Sequence, residues 1–205
     1  MILEDFVASN DLELRRILLT WGKLAPYRLD RRGQKKLCEA YCLNRYLVHQ
    51  SERGEIAFPV TVEQDENPDF RLTFDGAIIG IEVTEACCET EQAEWTGRAK
   101  EAESVDDVVL YDICTDNGRA IRVKKMVHDA IDRKAKSASK RVDELLVYLN
   151  TQDDAFESNE WRTSAIGLLP DSASRFLSIW LLTDVGIIKL DISRGTVSSE
   201  TTQRS

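Results

Sequence analysis

Asn67-Pro68-Asp69-Phe70-Arg71-Leu72-Thr73-Phe74-Asp75-Gly76, followed by Ala77-Ile78-Ile79-Gly80-Ile81-Glu82-Val83-Thr84, is the stretch that decides the fold of this chain. Residues 70–74 alternate between apolar and polar side chains, which is typical of a half-buried strand. Asp75-Gly76 strongly favours a two-residue hairpin turn. The near-continuous apolar run at 77–84 predicts a central strand covered on both faces. The stretch therefore predicts a hairpin whose second strand lies inside a sheet.

Two acidic residues, Asp69 and Glu82, lie opposite each other in that hairpin. A turn at 75–76 pairs residue 69 with residue 82, so their side chains share one face with Cβ atoms about 5 Å apart. An ionised Glu in an apolar strand is costly unless a metal, another cation or a proton compensates it. Carboxylate pairs suit Mg²⁺ or Mn²⁺. The pair predicts a metal site. In the alternative interpretation, Asp69 is a turn residue at the start of the strand and Glu82 belongs to a structural ion pair.

Two helices flank the hairpin in the sequence. The first is predicted over 33–49, and Glu39 borders its inner stripe, a position that is more often a solvated acid. The residues of that stripe are Leu37, Ala40, Tyr41, Asn44, Leu47 and Val48. The second is predicted over 121–139, with Lys134 on the apolar stripe that would pack on the sheet. Such a lysine usually extends along the rim of a core. Here its amine could instead reach Asp69 and Glu82 and orient an attacking water.

The remaining segments complete a single α/β domain at 1–192, because 205 residues suffice for one sizeable core. We expect its core at about 34–150 and a helical extension at 1–33, which Asn10-Asp11 divides into two helices. The other expected elements are a strand at 56–62 interrupted by Pro59 (an edge strand or a bulge), a helix and loops at 85–117, a buried strand at 142–149, a helix and closing hairpin within 155–192, and a disordered tail at 193–205.

The charge pattern narrows the choice of partners. The net charge is −9, which argues against a general nucleic-acid binder. Residues 15–36 nevertheless hold eight basic residues against one acid, and residues 118–141 hold nine against two. These segments predict either one phosphate-binding face or two solvated helix surfaces. Without a long apolar run, a signal peptide or an even cysteine count, we expect a cytoplasmic protein with reduced thiols and no membrane partner.

Pro68-Asp69 followed by Glu82-Val83-Thr84 resembles the motif of the PD-(D/E)xK nuclease-like superfamily. The order of parts is similar as well, since a helix with an acid precedes the hairpin, and a helix and a strand follow it. The resemblance covers roughly residues 34–150. It implies a restriction-endonuclease-like fold, that is, a mixed central β-sheet flanked by helices.

The resemblance also implies roles for individual residues. Asp69 and Glu82 would bind Mg²⁺ or Mn²⁺, and Glu39 would be an additional ligand. The family's lysine stands two residues after the Glu, where this chain has Thr84. Some members supply that lysine from a neighbouring helix, and Lys134 suits this role. Asp69, Glu82 and Lys134 are thus the candidate catalytic residues.

These observations favour a metal-dependent endonuclease that hydrolyses phosphodiester bonds, with DNA favoured over RNA as substrate. Nuclease-like domains that cut both strands often work as dimers, so the resemblance also implies a homodimer. The departure at Thr84 and the acidic balance support an alternative. In that alternative the chain is an inactive nuclease-like module that binds a protein or nucleic-acid partner, as an antitoxin or immunity protein does. A weaker alternative is a metal hydrolase acting on a small phosphorylated molecule.

Overall fold

A seven-stranded mixed sheet with helices on both faces forms the core of the computed structural model, which describes residues 5–21, 35–87, 116–137 (backbone alone over 116–120), 142–150, 169–183 and 186–192. The strands lie in sequence order across the sheet. They are β1 (Phe6–Ala8), β2 (Val60–Gln64), β3 (Phe70–Phe74), β4 (Ala77–Ala86), β5 (Glu144–Leu149), β6 (Ser178–Thr183) and β7 (Gly186–Leu190). The helices are α1 (Asp11–Trp21), α2 (Lys35–Glu52) and α3 (Asp116–Ser137), with a short 3-10 helix at Asp171–Arg175. The α/β class is therefore confirmed.

The directions of the strands divide the sheet into two parts. Strands β1 to β4 are antiparallel neighbours, β4, β5 and β6 are parallel, and β7 pairs antiparallel with β6. Parallel neighbours need a long connection, and α3 lies within the one between β4 and β5. The central hairpin is thus joined to a parallel unit at β4.

Each face of the sheet has its own apolar core. On one face α1 and α2 pack against side chains such as Phe70, Ile81 and Leu146. On the other face α3 packs against Leu145 and Val147, among others. Successive strand residues point to opposite faces, so Glu82 and Thr84 lie on the α3 face while Ile81 and Val83 lie on the α2 face.

The turn between β3 and β4 has the predicted geometry. Asp75 has φ of 49° and Gly76 has φ of 74°. Positive φ at both positions defines the type I′ turn that matches the twist of a hairpin. Asp tolerates this region, and Gly adopts it without a steric penalty. The register from Phe74↔Ala77 to Phe70↔Ile81 follows from this turn, as the sequence predicted.

The N-terminal segment differs from the prediction. Residues 6–8 form strand β1 instead of a helix, because they pair with Val60–Val62 and bury Ala8. Helix α1 begins after Asn10, whose side-chain oxygen accepts the Glu13 N–H at 3.0 Å, so the predicted helix start is confirmed. Strand β2 begins after Pro59 and has neighbours on both sides, so it is neither an edge strand nor bulged at that proline.

The later elements follow the sequence prediction closely. Helix α3 and strands β5, β6 and β7 all occur, with ends shifted by a few residues. Most of 85–117, the expected helix at 158–169 and the tail at 193–205 lie outside the described residues. The same holds for 22–34 and 138–141, which contain much of the two basic segments.

Candidate functional site

The site begins where the β3–β4 hairpin ends. Phe70 pairs with Ile81, so the preceding residue, Asp69, stands opposite Glu82. Both acids are buried, with 7% and 5% of their surface exposed. The Oδ2 atom of Asp69 accepts a hydrogen bond from the Val83 N–H at 2.8 Å. The structure thus brings the two predicted carboxylates together on the inside of the protein.

Lys134 reaches these carboxylates from α3. Its Nζ atom donates a hydrogen bond to Oε2 of Glu82 and lies 3.8 Å from Oδ2 of Asp69. Only 20% of the lysine side chain is exposed. The apolar stripe of α3 is buried against the sheet, and this packing holds the lysine stem over β4. The lysine therefore contacts the acid pair, as the helical spacing predicted.

Glu39 lies near this group but is positioned by α2. It is 8% exposed, although its sequence position was more typical of a solvated acid. The Nζ atom of Lys35, one turn earlier, lies 3.2 Å from its Oε1 atom. That contact is not aligned as a hydrogen bond, and Oε1 has no hydrogen-bond partner among the described residues. The charge of this buried carboxylate is therefore balanced in part by Lys35, and it interacts with the charges of Asp69 and Lys134.

The charges of these residues affect one another. Burial raises the pKa of Glu82, the Lys134 hydrogen bond opposes this rise, and the charge of Asp69 adds to it. Burial also raises the pKa of Glu39, followed by the charge of Asp69, while Lys35 and Lys134 act in the opposite direction. The charge of Glu39, and more weakly those of Asp69 and Glu82, raises the pKa of Lys35. Three carboxylates and two ammonium groups thus form one cluster that favours additional positive charge.

Thr84 occupies the position where the resemblance calls for a lysine. It is 6% exposed and faces α3, on the same side of β4 as Glu82. The Nη2 atom of Arg133 lies 3.4 Å from its hydroxyl oxygen and 2.9 Å from the Glu85 carbonyl oxygen. Consecutive residues of α3, Arg133 and Lys134, therefore contact β4 at two neighbouring places.

The oxygen atoms of the acid pair are of the type that binds a hard divalent cation. Asp69 and Glu82 offer carboxylate oxygens, and Mg²⁺ is commonly held by one or two carboxylates together with water and substrate phosphates. In the described part of the chain, no three acidic, histidine or cysteine side chains converge closely enough to hold a metal ion. Asp69 and Glu82 are the residues that would hold the ion, and the role of Glu39 as an additional ligand stays a prediction.

Sequence reasoning missed two cations at the site. Lys35 belongs to the first basic segment, and its spacing of four residues from Glu39 is the usual signal for a helical ion pair. For Arg133, the only feature in the sequence that indicated a functional role was its place in the second basic segment, 118–141. The Arg133 contacts depend on how α3 lies against β4, which the sequence pattern does not determine.

Comparisons of this chain with protein-family models, with curated proteins and with solved structures found no match. The function must therefore be argued from the site itself. A search of the described helices found none that is both long and apolar enough to cross a membrane.

Proposed function

We propose that this protein is a metal-dependent nuclease of the restriction-endonuclease-like type, and that Asp69, Glu82 and Lys134 form its active site. The observation that carries the proposal is the contact of the Lys134 ammonium with both members of a buried acid pair. Acids are rarely buried together, since each raises the cost of ionising the other. Keeping such a pair, with a lysine beside it, is typical of a site that binds a cation and an anionic substrate.

In this proposal the chain's own residues place the reactants. Asp69 and Glu82 would hold Mg²⁺ or Mn²⁺, which when bound lowers the pKa of water and neutralises charge on a phosphate. The Asp69 carboxylate is oriented by the Val83 N–H, so its position is set by the backbone of β4. The Lys134 ammonium would donate hydrogen bonds to the attacking water and to a phosphate oxygen. The water oxygen would form a bond to phosphorus as the opposite P–O ester bond breaks, the water would lose its proton to solvent, and the leaving oxygen would take up a proton.

The partners follow from the same site. The substrate would be nucleic acid, with DNA favoured over RNA, and the basic segments at 15–36 and 118–141 would contact its phosphates. A homodimer would place two such sites against the two strands of a duplex. Glu39 would act near the ion, where its buried oxygen could accept a hydrogen bond from a bound water.

The test is hydrolysis of plasmid, linear and single-stranded DNA and of RNA, with Mg²⁺, Mn²⁺ or EDTA. Asp69→Asn and Glu82→Gln keep side-chain size and one acceptor oxygen but remove a charge, so we expect them to fold and to lose cleavage. Glu63→Gln is the matched control, because Glu63 is an exposed acid on the adjoining strand β2. Metal-dependent cleavage that persists in both site variants would show that the active site lies elsewhere.

A second candidate is a non-catalytic module on the same framework, which binds a protein or nucleic-acid partner. The observation that favours it is the same ion pair, because Lys134 already neutralises part of the acid pair without a metal. Thr84 in place of the motif lysine is consistent with this role. No cleavage of any substrate, together with no Mn²⁺ binding in calorimetry, would favour this candidate over the nuclease.

A further inference from the structure

Among the described residues, strand β4 has no neighbouring strand on its β3 side beyond Ile81, next to the candidate site. Its last pairing with β3 is Ile81↔Phe70, yet the strand continues to Ala86. In this hairpin the N–H and C=O groups of the odd-numbered β4 residues face β3. Beyond Ile81 that edge meets side chains: Asp69 accepts the Val83 N–H, and Arg133 donates to the Glu85 carbonyl. The two side chains thus lie along one edge of one strand.

Arg133 is an unneutralised cation in the described part of the chain. Its hydrogen bonds there go to the neutral oxygens of Thr84 and Glu85, and no carboxylate lies within ion-pair distance. The residue is exposed. A guanidinium has five N–H donors, and Nη2 alone makes these contacts. The remaining donors of a positioned guanidinium suit a phosphate, which can accept two parallel hydrogen bonds.

We infer that Arg133 binds a phosphate of the nucleic-acid strand adjacent to the phosphodiester bond that is hydrolysed. This inference rests on the proposed nuclease function. Thr84 and Glu85, which Arg133 contacts, stand two and three residues beyond Glu82, a separation of about 7–10 Å along an extended strand. That distance places Arg133 beside a neighbouring phosphate instead of the reacting one. The site therefore favours a polynucleotide over a mononucleotide or another small phosphorylated molecule.

The test is the salt dependence of binding to a fluorescein-labelled DNA oligonucleotide, measured by anisotropy in EDTA so that no cleavage occurs. Each phosphate contact that is lost reduces the slope of log K against log salt by about 0.7 for a single strand and about 0.9 for a duplex. We expect Arg133→Gln to show that reduction and Arg133→Lys to keep most of the slope. Arg53→Gln is the control, since Arg53 is exposed, lies outside both basic segments and is already paired with Glu55, so its loss should leave the slope unchanged.

The outcomes separate this inference from the function on which it rests. Wild-type cleavage with an unchanged slope in Arg133→Gln overturns the role of Arg133 and leaves the nuclease intact. A wild-type chain that neither binds nor cuts nucleic acid overturns both. A change in thermal stability without a change in slope identifies Arg133 as a structural contact between α3 and β4.

A second measurement does not depend on how the variants fold. Single neutral methylphosphonate linkages are placed at successive positions of the oligonucleotide, and wild-type binding is measured for each. We expect one linkage beside the cleaved bond to weaken binding more than the others do. Equal binding at all positions overturns the inference.

Discussion

Removing the Lys134 ammonium should destabilise the protein in a way that depends on pH. Lys134→Met keeps an unbranched side chain but leaves Asp69 and Glu82 without their shared cation. At 3.8 Å a pair of unit charges interacts by about 4 kcal/mol at an effective dielectric constant near 20. Breaking a buried pair typically costs about 3–5 kcal/mol. Because one-fifth of the lysine side chain is exposed, we expect a loss of about 2–4 kcal/mol at pH 8.

The sign of the pH dependence follows from Glu82. Its pKa is already raised above 4.5 in the folded wild type, and loss of the ammonium raises it further. A carboxyl with a raised pKa binds more protons folded than unfolded, so its contribution to stability falls as pH rises through the folded pKa. At lower pH, protonation of Glu82 replaces part of the missing positive charge. The loss of stability in Lys134→Met should therefore be smaller at pH 5 than at pH 8.

Urea denaturation at the two pH values measures this difference. Lys124→Met is the control on the same helix, and as a surface change it should alter stability by no more than about 0.5 kcal/mol. An equal loss at pH 5 and pH 8 would refute the reasoning, because a purely apolar defect does not titrate. A loss in the control as large as that in Lys134→Met would refute it too.

Three further predictions follow from individual contacts. Gly76→Ala should lower the free energy of unfolding in urea by about 1 kcal/mol, because alanine is strained at a φ of +74°. The added Cβ would meet no atom within 4 Å, so a loss of several kcal/mol would contradict this prediction. Burial raises the pKa of Glu39, so its charged form, which dominates at pH 8, destabilises the folded protein. Glu39→Gln should therefore stabilise the protein more at pH 8 than at pH 5, and a larger gain at pH 5 in thermal melts would contradict this. If the nuclease proposal holds, Thr84→Lys should restore part of the cleavage that Lys134→Met removes, whereas Thr84→Ala should restore none.

The hairpin and its acid pair could be predicted because they depend on local chemistry. A two-residue turn that needs positive φ at both positions favours Asp75-Gly76, and its length alone sets the register that brings Asp69 opposite Glu82. The approach of Lys134 was predictable for a similar reason, since helical spacing placed it on the apolar stripe. In each case the residues of one short segment are enough to predict the feature, whether the hairpin register or the helix face that carries Lys134.

The features that sequence reasoning missed depend on distant contacts. The spacing of apolar residues around positions 6–8 is typical of a helix, but these residues form a strand because they pair with Val60–Val62. The buried side of α2 is rotated from the expected stripe, because Leu43 is fully buried while Val48 is 37% exposed. That rotation contributes to the burial of Glu39. Spacing along a helix shows which residues share a face, but the packing of the helix decides which face is buried.

The departure at Thr84 illustrates the same distinction. A motif describes spacing along one strand, whereas chemistry depends only on where the ammonium lies. Glu82 and Thr84 point to the face of β4 that α3 covers, and Arg133 already contacts the Thr84 hydroxyl. A lysine at 84 would place a further positive charge between Arg133 and Lys134. A neutral residue at 84 is therefore compatible with a site in which α3 supplies the cation, so Thr84 does not by itself argue for an inactive site.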